Sequence, residues 1–362
     1  MRKHFIDNIR WLCILTLIPY HTFMIYNAFG EAFYIEGQRI FGTSAFIATL
    51  SPWFMPLLFV LAGMSSYYAL QRRTPSAYAK ERVFKLLIPL FAGIILVVPA
   101  QTYIAERFHN GFTGSYFYQY ILFFTAPTDL SGTRGGFTPA HLWFLLYLFV
   151  ISMVALPLMN AYKNAKRKLP ADKMPLLLLL SLFIMPFAMM PILDIGGHSL
   201  GGYFAYFILG YLVLSADRLL EKLDRLRRPL LLAAAICVIG NLFLLYFYLH
   251  GRLAAPIFYF EIFRVFYGWL AILTILGLGR HHLNFRNKTT DYLSASAFPV
   301  YIFHQSWIVV LAYFIFAHTG NALAQICLII LTSTLFTYAT YEICKRIPGL
   351  RVLFGIKSAV GE

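Results

Sequence analysis

Arg10 and His21 lie in the first apolar stretch of the chain, FIDNIRWLCILTLIPYH, with ten residues between them. On an α-helix, eleven steps at about 1.5 Å and about 100° each put them about 16 Å apart in depth and about 20° apart in azimuth. One face of one membrane helix would then carry a guanidinium at its cytoplasmic mouth and an imidazole well inside the lipid. Ionisable groups at that depth are costly, so their presence points to function. A guanidinium suits phosphate or pyrophosphate through paired N–H donors. An imidazole suits removal of a hydroxyl proton.

Other polar residues fall at similar depths. Counted from the inner end of each apolar stretch, His21 lies about 20 Å deep, Asn241 about 18 Å, His304 roughly 14 Å, and Glu261 and Arg264 roughly 20–27 Å. Each has a plain reading: Glu261 and Arg264, at i and i+3, form a self-neutralising pair, and His304 is a satisfied core histidine. Together they predict a polar cavity reached from both sides. At the cytoplasmic edge, Arg82 and Lys85 open the third stretch in ERVFKLLIP, and Asp7 precedes Arg10. Coenzyme A fits this layout, with its nucleotide head among Arg10, Arg82 and Lys85 and its narrow arm reaching toward His21. His21 would act as general base in a direct acyl transfer, or as the nucleophile of an acyl-histidine intermediate. Glu261 or His304 would orient the imidazole, and Arg264 would stabilise the oxyanion. The sequence holds no P-loop, HExxH, CxxC or G-x-S-x-G motif and no metal-ligand set, so neither a metal nor a tightly bound cofactor is expected.

The elements that must hold these residues are membrane helices. Of 362 residues, 60% are hydrophobic and 12% charged, and the mean hydropathy is +0.69. Repeated apolar runs of about 20 residues predict an all-α integral membrane protein. Ten spans fit: 8–29, 51–70, 84–105, 140–161, 174–193, 200–217, 229–249, 257–279, 295–316 and 322–342. An even count puts both termini in the cytoplasm. The net charge of +15 raises the question of a nucleic-acid partner, but 25 of the 30 Lys and Arg residues fall at alternate connections. That is the positive-inside pattern, and no nucleic acid is expected. The basic N-terminus runs into the first span without a small-residue cleavage site, so it reads as a retained anchor. Cys13, Cys237, Cys327 and Cys344 lie in or beside apolar spans and imply no disulfide framework. Residues 1–362 read as a single polytopic domain without a fused soluble domain. Two outer segments, 30–50 and 106–139, are long. The second carries Tyr116, Phe117, Tyr118, Tyr120, Phe123 and Phe124, either an aromatic belt or a sugar-stacking surface.

The opening run resembles that of acyltransferase family 3, whose hallmark is an Arg and a His ten residues apart on the first span. FVLAGMSSYYAL, ERVFKLLIPLFAG, HLWFLLYL and FPVYIFHQSWIVVLAY resemble further family stretches, and the tail YEICKRIPGLRVLFGIK resembles its glucan-modifying branch. The resemblance implies a bacterial inner-membrane enzyme that moves an acyl group from cytoplasmic acyl-CoA to a hydroxyl of an extracytoplasmic glycan or glycolipid. Acetyl-CoA and succinyl-CoA are both open as co-substrates, and so is assembly into a homo-oligomer. By matching position, Arg10 and His21 are the essential pair, and Arg82 and Lys85 form the basic start of span three, with Lys85 where Arg is commoner. His141 and Trp143 match HLWFL, Tyr301 and His304 match the span-nine motif, and His141, Trp143 and Tyr301 are expected to face substrate. The rival is a secondary transporter using Glu261, Arg264, His21 and His304 as an intramembrane site. A non-catalytic scaffold would tolerate loss of both Arg10 and His21.

Overall fold

A computed structural model describes residues 3–252 and 257–356. Arg2 and Lys357, two cations of the alternating set, lie outside the described residues. The described chain is helical: α1 (His4–Met24), α2 (Phe41–Leu50), α3 (Phe54–Leu70), α4 (Pro75–Arg82), α5 (Ile88–Leu96), α6 (Pro99–His109), α7 (Tyr116–Thr125), α8 (Trp143–Asn164) and α9 (Leu176–Ser181). Next come α10 (Ile184–Met189), α11 (Leu200–Leu212), α12 (Asp217–Arg225), α13 (Arg227–Leu249), α14 (Ile257–His282), α15 (Lys288–His318), α16 (Ala322–Arg346) and α17 (Pro348–Leu353). A π turn (Val83–Leu87) joins α4 to α5, and a 3₁₀ turn (Ala140–Leu142) leads into α8. The one departure among the described residues is a small hairpin of β1 (Asp194–Ile195) and β2 (His198–Ser199). Gly196 and Gly197, at φ +61° and +77°, supply the left-handed pair its two-residue turn requires.

Seven described helical segments are long and apolar enough to cross a bilayer: Phe41–Leu70, Pro75–His109, Ala140–Asn164, Arg227–Leu249, Phe258–His282, Lys288–His318 and Ala322–Arg346. An eighth is added if α11 and α12, bent by 100° at their junction, count as one. The chain is therefore an all-α, multi-pass membrane protein. The other predicted spans are helical but less simple. The apolar run of α1 is interrupted by Asp7, Arg10 and His21. The stretch 174–193 is two short helices, α9 and α10, and 200–217 is helical only to Leu212 before the bend.

Two compact units share these helices. The first comprises Met1–Arg10, Ala48–Arg82 and Tyr147–Asn287. Within it α3 packs on α11 at very short range: a Cβ on Gly63 would strike the Phe207 carbonyl, and one on Gly210 the Val60 carbonyl. Lipid supplies little drive for helix association, so small residues that let backbones approach give such pairs their dispersion contact. Asn8 Nδ2 donates to the carbonyls of Leu283 (2.7 Å) and Phe285 (2.9 Å), tying the start of α1 to the chain just past α14.

The second unit comprises Trp11–Ile47, Val83–Leu146 and Lys288–Glu362. Here α15 packs against α16 and α6, and α7 covers α6. Tyr26, Ile35, Ala105, Ile308 and Ile329 are fully buried in its core. The helical run breaks between α5 and α6, where Pro99 cannot continue the amide ladder. Gln101 N bonds Val98 O (2.9 Å), which leaves the Val97 carbonyl free for a side chain from α15.

Candidate functional site

Three histidines from distant parts of the chain meet in the second unit. His21 comes from α1, His141 from the 3₁₀ turn and His304 from the middle of α15. The His304 ring centroid lies 5.2 Å from that of His21 and 5.1 Å from that of His141. His141 and His304 are buried, whereas His21 keeps part of its surface accessible. Ala140, just before His141, has φ +48°, a conformation that non-glycine residues rarely hold. Thr138 Oγ1 steadies it by accepting from Ala140 N at 2.9 Å.

Hydrogen bonding sets the tautomers. A carbonyl oxygen only accepts, so a ring nitrogen facing one must carry hydrogen. His304 Nδ1 donates to Tyr301 O (2.8 Å), and His141 Nε2 donates to Ile302 O (2.9 Å). In the neutral rings His304 Nε2 and His141 Nδ1 are then the lone-pair nitrogens. Gln101 Nε2 stands 3.5 Å from His141 Nδ1 and donates to Ser306 Oγ (2.7 Å). Ser306 Oγ donates to the Val97 carbonyl released by the break (3.0 Å), and Gln305 Nε2 to Gln101 Oε1 (3.0 Å). Tyr301 Oη donates to the His141 carbonyl. These bonds lock His141 between α6 and α15. His304 Nε2 and His21 Nδ1 are different: each is buried and has no hydrogen-bond partner among the described residues. An unpaired buried polar atom costs about 1–3 kcal/mol, so two of them side by side mark a place built to receive a partner.

Of the predicted site residues, the structure thus gathers His21, His141, Tyr301 and His304. Trp143 comes just after, half-buried at the start of α8 and edge-on to Phe144. Glu261 and Arg264 lie on α14 in the first unit and pair with each other at 3.4 Å. Asn241 Nδ2 donates to Ala48 O (2.9 Å), which gives it a structural task. Gln101, Gln305 and Ser306 were missed from sequence. Their signal was amides and a hydroxyl in apolar spans, one beside Pro99 and two directly after His304.

The cationic set lies elsewhere. In the first unit, Arg10 donates to Asp7 Oδ1 and to Ser65 Oγ, both at 2.8 Å. Arg82 donates to Ser66 Oγ (3.0 Å) and lies over the Tyr78 ring, 4.6 Å from its centroid. The adjacent serines of α3 therefore hold two guanidiniums at one turn. Each guanidinium has five donors, so these partners leave capacity for an anion. Arg82 Nε is buried without a hydrogen-bond partner among the described residues. Lys85 sits on the π turn, with its side chain exposed. A π turn adds a residue to the helical circuit and rotates the succeeding residues of α5 in azimuth.

Residues 3–342 match the acyltransferase 3 family, described as an acyltransferase domain, and the chain belongs to that family. It is a membrane acyltransferase. Among curated proteins it is similar to the glucans biosynthesis protein C of Salmonella schwarzengrund (strain CVM19633), 25% identical over 390 residues covering 100% of this chain and 96% of the relative. The protein of that name from Salmonella paratyphi B (strain ATCC BAA-1250 / SPB7) is also 25% identical, over 388 residues with the same coverage. No solved structure matches the chain.

Proposed function

We propose that the protein is an O-acyltransferase of the bacterial inner membrane. It would cross ten times with both termini in the cytoplasm, taking an acetyl or succinyl group from cytoplasmic acyl-CoA and placing it on a hydroxyl of an extracytoplasmic glycan or glycolipid. The name shared by its relatives supports a glucan acceptor. The observation that carries the reading is the pair of unpartnered ring nitrogens, His21 Nδ1 and His304 Nε2, in a chain of this family.

The CoA phosphates bind Arg10 and Arg82, with Lys85 adding charge. Because Arg10 and His21 share α1, about 16 Å of helix separates the phosphate anchor from the imidazole, a span an extended pantetheine arm can cover. His21 takes the proton of the acceptor hydroxyl as its oxygen bonds to the thioester carbon. The C–S bond then breaks, and the proton passes from the imidazole to the departing CoA thiolate. If His21 instead attacks first, a C–N bond forms as the C–S bond breaks and the thiolate leaves. The acceptor oxygen then bonds to the acyl carbon as the C–N bond breaks, and its proton passes to the released imidazole. His304, its Nε2 left as an acceptor, stands with its ring 5.2 Å from that of His21 and is the group to orient the imidazole. His141, Trp143 and Tyr301 shape the acceptor side. Comparing hydrolysis of acetyl-CoA and succinyl-CoA by the purified protein separates the donors.

The central test is His21→Ala. Transfer of labelled acyl groups to glycan should fall by about 10²–10⁴-fold, with normal membrane insertion. Undiminished transfer removes His21 from the mechanism.

A further inference from the structure

The segment between α1 and α2 has an unusual burial pattern. Residues 30–32 and 36 are exposed, as are 38 and 39, yet Phe33, Tyr34 and Ile35 between them are buried at 7%, 5% and 0% exposure. A polar connection has pushed three large apolar residues into the helices of the second unit. Phe33 goes to a particular place: its ring lies within 13° of parallel to the His21 imidazole, with centroids 6.2 Å apart. The base of the segment is tied to the end of α1 by Gly37 N to Ile25 O (2.8 Å) and Ile40 N to Tyr26 O (3.0 Å). Asn27 Nδ2 braces its descent by donating to Glu31 O (2.8 Å). The inserted stretch is then held by a side chain that solvent reaches. His109, exposed at the end of α6, donates from Nε2 to the Phe33 carbonyl at 2.8 Å. On its far side, Tyr34 Oη would lie 3.1 Å from a Cβ placed on Gly132.

We infer that Phe33 is the acceptor-side partition of the histidine cluster: its ring covers one face of His21 against water and must yield before a hydroxyl can reach that face of the imidazole. The chemical need is plain. An imidazole that deprotonates a sugar hydroxyl deprotonates water equally well. Water's oxygen would bond to the acyl carbon, the C–S bond would break, and free acid and CoA would result. A rigid apolar ring against the base suppresses this loss, and a short segment whose Phe33 carbonyl is held by one exposed histidine can be released there without unfolding the helices. Bulk at position 33 also sets which acceptors enter, which makes Phe33 a specificity residue. This catalytic role rests on the acyl-transfer reading, whereas the physical cover over His21 does not.

The test uses the full-length protein in detergent and two readouts. Carbethoxylation by diethyl pyrocarbonate, measured peptide by peptide, reports access to each histidine. His21 should react about tenfold more slowly than the exposed His318 in the native protein, and approach the His318 rate in Phe33→Ala. Phe33→Leu should restore protection. His109→Ala, which leaves the core intact, should give an intermediate rate. In parallel, acyl-CoA hydrolysis without acceptor should rise about tenfold in Phe33→Ala and less in His109→Ala. A native His21 as reactive as His318, or one still protected in both variants, overturns the partition. If Phe33 controls His21 labelling while His21→Ala retains full transfer, the cover stands and the catalytic reading fails.

Discussion

The histidine cluster and the arginine–serine cluster are built on opposite rules. Around the histidines most donors are committed: two rings donate to carbonyls of α15, two glutamines and a serine lock His141, and Tyr301 closes the set. Against that background the acceptor side is open: two ring nitrogens, Gln305 Oε1 and Thr22 Oγ1 are left without partners among the described residues. The guanidiniums of Arg10 and Arg82 are each steadied by one serine hydroxyl, and the Arg10 side chain keeps 35% of its surface exposed. The first arrangement fixes the tautomers of His141 and His304 and buries both rings, as proton transfer demands. The second holds charge at an accessible place with donors to spare, as reversible anion binding demands. Rate should therefore be lost at one cluster and affinity at the other.

Three substitutions put that contrast at risk. The largest effect belongs to His304→Ala, which should lower kcat for transfer by about 10²–10⁴-fold while leaving the KM for acyl-CoA within a few-fold. A drop of less than about threefold with an unchanged thermal transition would make His304 a packing residue and leave His21 to work alone. Next comes Arg10→Ala. Loss of charge-assisted bonds to phosphate, about 1.5–3 kcal/mol, should raise the acyl-CoA KM by about 10–100-fold with a smaller change in kcat. The native KM should also rise with ionic strength, and that slope should flatten in the variant. Should kcat fall instead, the division into a rate cluster and an affinity cluster is wrong. The smallest change is expected from Ser65→Ala. It removes one steadying bond worth about 0.5–1.5 kcal/mol and should raise KM by about 2–10-fold. Equal losses for Ser65→Ala and Arg10→Ala would show that the serine positions the whole of the guanidinium's contribution.

Much of this site was legible before any coordinates. The spacing of Arg10 and His21 is a property of one helix, and helical rise converts it into depth without knowledge of neighbours. His141, Tyr301 and His304 stand in motifs that resemblance picks out. The aromatic run of 106–139, an aromatic belt or a stacking surface by sequence, is the helix α7, with Phe123 buried and Phe117 79% exposed. Depth was a poorer guide to company. Glu261, Arg264 and Asn241 share the expected layer with the histidines, yet in the structure Glu261 pairs with Arg264 and Asn241 caps a backbone carbonyl. Phe33 carried no signal, because a lone aromatic in a polar connection looks the same whether it floats or inserts.

Composition and periodicity alone settled that the chain is helical and membrane-spanning, since lipid leaves a backbone few other ways to satisfy its amides. They also set the height of Arg10 relative to His21, because one helix is a ruler. Only packing decided that a turn before α8 and the middle of α15 would bring two more imidazoles to the first. Azimuth and neighbour choice depend on glycine contacts, a proline break and a π turn that act between elements distant in the chain, and local pattern holds no record of them.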